Sequence, residues 1–213
     1  MDLPDTLPGR LYLLAFRPGT RQFSYHRHLG LLMRAAALTE LLQRGLLVDD
    51  RGRPQPGRPA PPELDPVLAT VLAQVAGQRR RRLLGPRSWR GWIAADAGAT
   101  ERAVRDRLRD DGLVIVSDHR APGLFPNRSR VRCDPHAHRQ LVALVEAVLT
   151  DPLDTVEPRQ AALVSLAAAG ELDAVLDART RRVHRDRIRE LKRLTGPTAT
   201  ALRREITAKR SGY

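Results

Sequence analysis

Residues 27–44 read RHLGLLMRAAALTELLQR, and Gly45 follows. The spacing predicts a helix that Gly45 closes, and no other stretch of the chain is as clearly helical. Within residues 29–38, LGLLMRAAAL, Arg34 is the only polar side chain among ten. A helix that is apolar all round is normally buried. An unpaired buried charge is very costly, so Arg34 needs a carboxylate partner, a route along its stem to solvent, or a place in the wall of an anion-binding cleft.

On the N-terminal side, TLPGRLYLLAF at 6–16 reads as a short apolar element, with Thr6 as cap and Pro8 in the first turn if it is a helix. RPGT at 17–20 is a turn. On the C-terminal side, LLV at 46–48 suits a short strand. Residues 51–62, RGRPQPGRPAPP, hold five prolines and read as a loop inserted within a domain. A helix is expected at 64–77, followed by the basic run RRRR at 79–82. PRSWRGWIAAD begins another at Pro86, with Trp89 and Trp92 on one face. Thr100 is expected to cap a helix ending at Gly112. LVIV at 113–116 and SRVRC at 129–133 have the content of paired strands. Asp134-Pro135 opens a helix to 149, and further helices are expected at 157–169, 171–193 and 197–209. The fold class is therefore mostly α: a single helical domain over 1–213 with a β-hairpin projecting at 113–133.

The chain has 213 residues and a formal net charge of +13, from 37 basic and 24 acidic side chains. Only Lys192 and Lys209 are lysines, so 35 of the basic residues are arginines, a bias that suits a GC-rich genome. The imbalance favours a polyanionic partner: nucleic acid, an anionic membrane surface or a phosphorylated ligand. The single cysteine, Cys133, excludes an internal disulfide and suits a reducing cytoplasm. No apolar run is long enough for a membrane span. MDLPDTLPGR lacks the basic-then-apolar order of a signal peptide.

Residues 101–109, ERAVRDRLR, gather four arginines. Arg102, Arg105 and Arg109 fall within about 60° on a helix, while Val104 and Leu108 point elsewhere. Like charges three and four residues apart repel. Either Asp106, Asp110 and Asp111 neutralise them as solvated pairs, or an external anion does. The histidines of HRH (26–28) and HAH (136–138) diverge on a helix, and no cysteine or carboxylate cluster completes a metal set, so neither metal nor cofactor is expected. The nucleophile-elbow, P-loop, dinucleotide-binding and zincin motifs are missing, and no enzymatic activity is expected. By pattern alone, residues 86–116 also fit a winged helix whose arginines would enter a DNA major groove.

Four segments together resemble the Golgi phosphoprotein 3 family, which also occurs in bacteria: LYLLAF near the start, LLMRAAALTELLQRGLL at 31–47, SWRGWI at 88–93, and ERAVRDRLRDDGLV running into LFPNRSRVRCDPHAHRQL at 124–141. The resemblance covers nearly the whole chain. It implies a helical domain with a projecting hairpin and a pocket for phosphatidylinositol 4-phosphate. That pocket would use Tyr25, where the family commonly has tryptophan, with Arg34, Arg102 and Arg105. Leu124 and Phe125 would be exposed near the hairpin as a membrane-inserting or self-associating wedge. The partners expected are an anionic membrane lipid and further copies of the chain through the hairpin, with nucleic acid as partner only under the winged-helix alternative. The location expected is cytoplasmic, peripherally on a membrane.

Overall fold

The structure, a computed structural model, describes residues 3–16, 28–78, 87–118 and 129–211. The fold is mostly helical, as the periodicity predicts. Helix α2 (Leu29–Gln43) lies at its centre. Around it pack α1 (Leu7–Leu14), α3 (Pro66–Gln78), α4 (Trp89–Ala94), α5 (Ala97–Asp110), α7 (Pro158–Ala169) and α10 (Pro197–Ser211). Helix α6 (Pro135–Thr150) covers α1 and α7, while α9 (Arg185–Thr195), preceded by the short α8 (Ala178–Val183), lies on α7. The uniformly apolar sequence of α2 follows from this central position. Its residues 31–41 are all buried, including three polar ones, Arg34, Thr39 and Glu40.

Glu40 and Thr39 are both held within that core. Glu40, 3% exposed, accepts from the Leu7 amide at 2.7 Å and pairs with Arg44 at 2.5 Å and Arg159 at 3.4 Å. It thereby supplies the first turn of α1 with a negative charge from a different helix. Thr39 donates to the Ala35 carbonyl or shares its proton with Thr198 of α10, 2.7 Å away. Thr6 caps α1 as expected, accepting from the Gly9 amide. Buried His138 of α6 places Nδ1 2.9 Å from the Leu13 carbonyl, satisfying the C-terminal end of α1.

Two antiparallel hairpins accompany the helices. In the first, β1 (Leu47–Asp50) pairs with β2 (Arg53–Pro56). The expected loop at 51–62 is thus a strand in its first half. A two-stranded sheet leaves every strand an edge, which tolerates Pro54 and Pro56. In the second, β3 (Val114–Asp118) pairs with β4 (Ser129–Cys133), with Val116 opposite Val131, where the hairpin was expected. Val114 and Val131 face the body, while Ile115 is 61% exposed. The connecting residues, with Leu124 and Phe125, lie outside the described residues.

Three helix boundaries differ from expectation. Helix α4 begins at Trp89 because Ser88, in extended conformation, accepts from the Gly91 amide; Pro86 lies outside the described residues. Helix α5 begins at Ala97, so Thr100 sits in its first turn and donates to the Asp96 carbonyl instead of capping. Residues 171–193 are not one helix. Glu171 takes a left-handed conformation (φ 56°) and pairs with Arg203 and Arg210, and Asp177 starts a new helix by accepting from the Thr180 amide at 2.7 Å. Leu172 and Leu176 remain buried through the break, so core packing overrides the continuous helical pattern.

Candidate functional site

The arginine helix is amphipathic in the expected sense. Val104 and Leu108 of α5 are buried, against a body in which α5 lies along α2 and also touches α1. Its contact with α2 is set by glycine. A Cβ added at Gly30 would lie 2.8 Å from the Ala97 carbonyl oxygen, closer than real Cβ contacts occur. The first turns of α2 and α5 therefore meet almost backbone to backbone. The N-cap side chain of neither helix, His28 or Asp96, makes a capping hydrogen bond to it. No acidic residue lies in either first turn. Two positive helix ends, with amides lacking intrahelical partners, thus converge on one place.

Arg34, 1% exposed, projects from α2 into the corner between α4 and α5. Its Nε donates to the Trp92 carbonyl at 3.2 Å and its Nη1 to Thr100 Oγ1 at 3.3 Å. Its Nη2 is buried with no hydrogen-bond partner. The guanidinium carbon lies 5.8 Å from the centre of the Trp92 ring, which Arg87 approaches to 5.3 Å. Burial pulls the Arg34 pKa down to about 10; Asp96 opposes that shift and Arg87 adds to it. Among the described residues no carboxylate forms an ion pair with Arg34. Of the alternatives open to Arg34, the buried ion pair is thus not formed among the described residues, where this cation is held by a helix-end carbonyl, a hydroxyl and an indole face.

The other arginines separate into two kinds. Arg107 pairs with Asp111 at 3.3 Å, as its i,i+4 spacing predicts, and Arg109 pairs with Asp106 and Asp110 at 3.6 and 3.2 Å. These are solvated surface pairs of about 0.5 kcal/mol each. Arg102 is exposed; among the described residues no hydrogen bond or ion pair holds it, and its Nη1 lies over Gly98, 3.6 Å from where a Cβ would be. Arg105 is half-buried, turned toward Asp106 at 3.3 Å and toward Tyr12 of α1. Burial raises the pKa of the Tyr12 hydroxyl, against the pull of Arg105.

The structure thus brings Arg34 and the arginine helix together, with contact made through Thr100. It gives Arg34, Arg102 and Arg105 different neighbours around the Gly30–Ala97 junction. Tyr25 lies outside the described residues. Glu101, Trp92, Arg87 and Thr100 are the participants that sequence reasoning missed. Glu101 opens the arginine motif itself, and a glycine one turn before Arg34 was the available sign of a close helix crossing.

Among the described residues, no helix is long and apolar enough to cross a membrane, and no group of side chains is arranged to hold a metal. Cys133 is half-buried, and burial pushes its thiol up to about 11, with Asp134 adding to the shift, which leaves little thiolate at neutral pH. No curated protein matches the chain. The family model for Golgi phosphoprotein 3 (GPP34) matches residues 7–208, and the chain therefore belongs to that family.

Proposed function

We propose that this protein is a peripheral, cytoplasmic membrane protein that binds an anionic phosphoinositide-type headgroup, of the phosphatidylinositol 4-phosphate kind, through Tyr25, Arg34, Arg102 and Arg105, and that it is not an enzyme. Membership in the Golgi phosphoprotein 3 family is consistent with this lipid. The observation that carries the reading is the buried guanidinium of Arg34. It keeps one unpartnered nitrogen, forms no ion pair with a carboxylate among the described residues, and bonds the first turn of α5, whose N-cap side chain makes no capping hydrogen bond. A phosphate suits such surroundings. Amides at helix ends and forked guanidinium donors match its oxygens. Arg102 is free to join them, and Arg105 needs only to leave a weak solvated contact. The formal charge of +13 adds attraction to an anionic leaflet, about 1 kcal/mol for each basic side chain near it. Leu124 and Phe125 are the proposed wedge at the hairpin, for membrane insertion or contact with a second copy.

The winged-helix reading fits less well. It requires the arginine helix to stand clear of the body with Arg34 uninvolved, whereas Arg34 bonds that helix at Thr100.

The test is vesicle sedimentation at fixed ionic strength, because both lipid and DNA binding weaken with salt. Vesicles carrying phosphatidylinositol 4-phosphate should be preferred over phosphatidylserine vesicles of equal surface charge. Arg102→Ala and Arg105→Ala should each remove about 1–3 kcal/mol of that preference. Arg107→Ala, already paired with Asp111, should cost only a surface-charge effect. Tyr25→Trp should retain binding that Tyr25→Ala weakens, and serine at both 124 and 125 should weaken it without unfolding. Equal binding to all anionic vesicles, together with sequence-selective binding to duplex DNA, would refute the proposal.

A further inference from the structure

A carboxylate stands where an anion site should exclude one. Glu101 belongs to the arginine helix, one residue before Arg102 and four before Arg105, and is half-buried. Its Oε2 reaches the first turn of α2, 3.3 Å from where a Cβ of Gly30 would be. It therefore lies at the same junction of helix ends as the candidate phosphate seat. Burial raises its pKa, and Arg105 and then Arg102 act in the opposite direction. The Tyr12 hydroxyl of α1 is near enough to feel the Glu101 charge. Two arginines stand close in sequence, yet among the described residues no hydrogen bond or ion pair is made to the Glu101 carboxylate. A solvated surface glutamate beside two arginines would close an ion pair at little cost. This one is half-buried, and among the described residues its acceptor oxygens take no hydrogen bond, so they remain open to a donor from outside the chain.

A carboxylate beside a bound phosphate repels it unless a hydrogen lies between them. Hydroxyl groups on a ring bearing the phosphate supply that hydrogen. The ring hydroxyl donates to the carboxylate while the phosphate oxygens accept from guanidinium and amide groups. The mixture of donors for phosphate and one acceptor for hydroxyl selects a phosphorylated polyol over a simple phosphomonoester. We propose that Glu101 is a specificity-determining residue of this site, its carboxylate accepting a hydrogen bond from a ring hydroxyl of a phosphorylated polyol headgroup. The inference rests on the headgroup reading above and assigns a residue that reading does not use.

The experiment compares the full chain and its variants on phosphatidylcholine vesicles carrying equal mole fractions of either phosphatidylinositol 4-phosphate or phosphatidic acid. Soluble inositol monophosphate serves as competitor, to separate a membrane-held ligand from a free one. The native protein should prefer the phosphoinositide. Glu101→Ala should weaken phosphoinositide binding about tenfold, the loss of one charge-assisted hydrogen bond, while leaving phosphatidic acid binding unchanged or tighter. Glu101→Gln, which keeps the shape and one acceptor oxygen, should retain part of the preference. Displacement by the soluble competitor at the concentration that saturates the vesicle site would identify a free sugar phosphate as sufficient, with the role of Glu101 intact. Tighter binding of Glu101→Ala to both vesicle types would make the carboxylate a mere repulsive neighbour and overturn the proposal. So would unchanged binding to both, or a loss shared by both vesicle types in Glu101→Gln. Failure of the native protein to bind either vesicle type would bring down the headgroup reading itself.

Discussion

Gly30→Ala tests the junction on which the site depends. The added methyl group would meet the Ala97 carbonyl oxygen at 2.8 Å and its carbon at 2.9 Å, both backbone atoms that no side-chain rotation removes. Restoring ordinary van der Waals separation requires α5 to withdraw from α2 by about 0.5 Å, enough to forfeit a quarter or more of each contact it loses. Overpacking of this kind costs about 1–3 kcal/mol. Alanine in place of glycine returns at most about 1 kcal/mol of helix propensity, and less in a first turn. The net expectation is a destabilisation of about 1 kcal/mol, or about 2–4 °C in Tm for a domain of this size. The same withdrawal would lengthen the Arg34 hydrogen bonds to Trp92 and Thr100, now 3.2 and 3.3 Å, toward breaking. Urea unfolding should show the lower stability, and phosphoinositide-vesicle sedimentation should show a larger loss of binding than the stability change alone explains. A higher Tm with binding intact would refute the close approach of α2 and α5.

Two other perturbations separate the roles of buried charge. Arg34→Met roughly preserves volume while removing a buried cation that forms no ion pair among the described residues, so its Tm is expected to hold or rise while vesicle binding is lost; a fall of several degrees in thermal unfolding with binding preserved would make Arg34 structural. Glu40→Ala strands the Leu7 amide, Arg44 and Arg159 together and should cost about 3–5 kcal/mol in urea unfolding, with a marginal change counting against the network.

Local signals in the chain were sufficient for α2, whose apolar run has only one reading, and for Thr6, Asp134, Gly45 and Gly112, whose capping chemistry is contained within a few residues. They failed where the deciding partner lies far along the chain. Glu40 looks like an ordinary helix glutamate until Leu7 and Arg159 arrive, 33 and 119 residues away. Residues 171–177 carry a helical pattern that is broken where Leu172 and Leu176 pack into the core and Glu171 meets arginines of α10, although Asp177 with Thr180 was a legible start signal. Arg34 was singled out as an anomaly from composition alone, but its partners, a carbonyl 58 residues on and a hydroxyl 66 residues on, carry no sequence signature. Glu101 was hidden for a different reason. In a motif crowded with arginines, an acid reads as a counter-charge, and only burial shows that it is not acting as one.

The way α5 ends gives the molecule a mechanical property. The Leu113 amide bonds the Leu108 carbonyl at 2.9 Å, and the Asp134 amide bonds the Leu113 carbonyl at 3.0 Å, so the first leg of the β3–β4 hairpin is tied to the last turn of the helix and the second leg is tied to the first. Fourteen residues of helix make a rod of about 21 Å. Its near end is the junction at Gly30 and its far end is the root of the hairpin. Under the proposed headgroup reading, a ligand gripping the near end sets the pitch of the rod against the bilayer, and the hairpin swings with it as the far arm of a lever. Spin labels placed on α5 and on β4 would then keep one fixed separation while the tilt of both against the membrane plane changes with ligand.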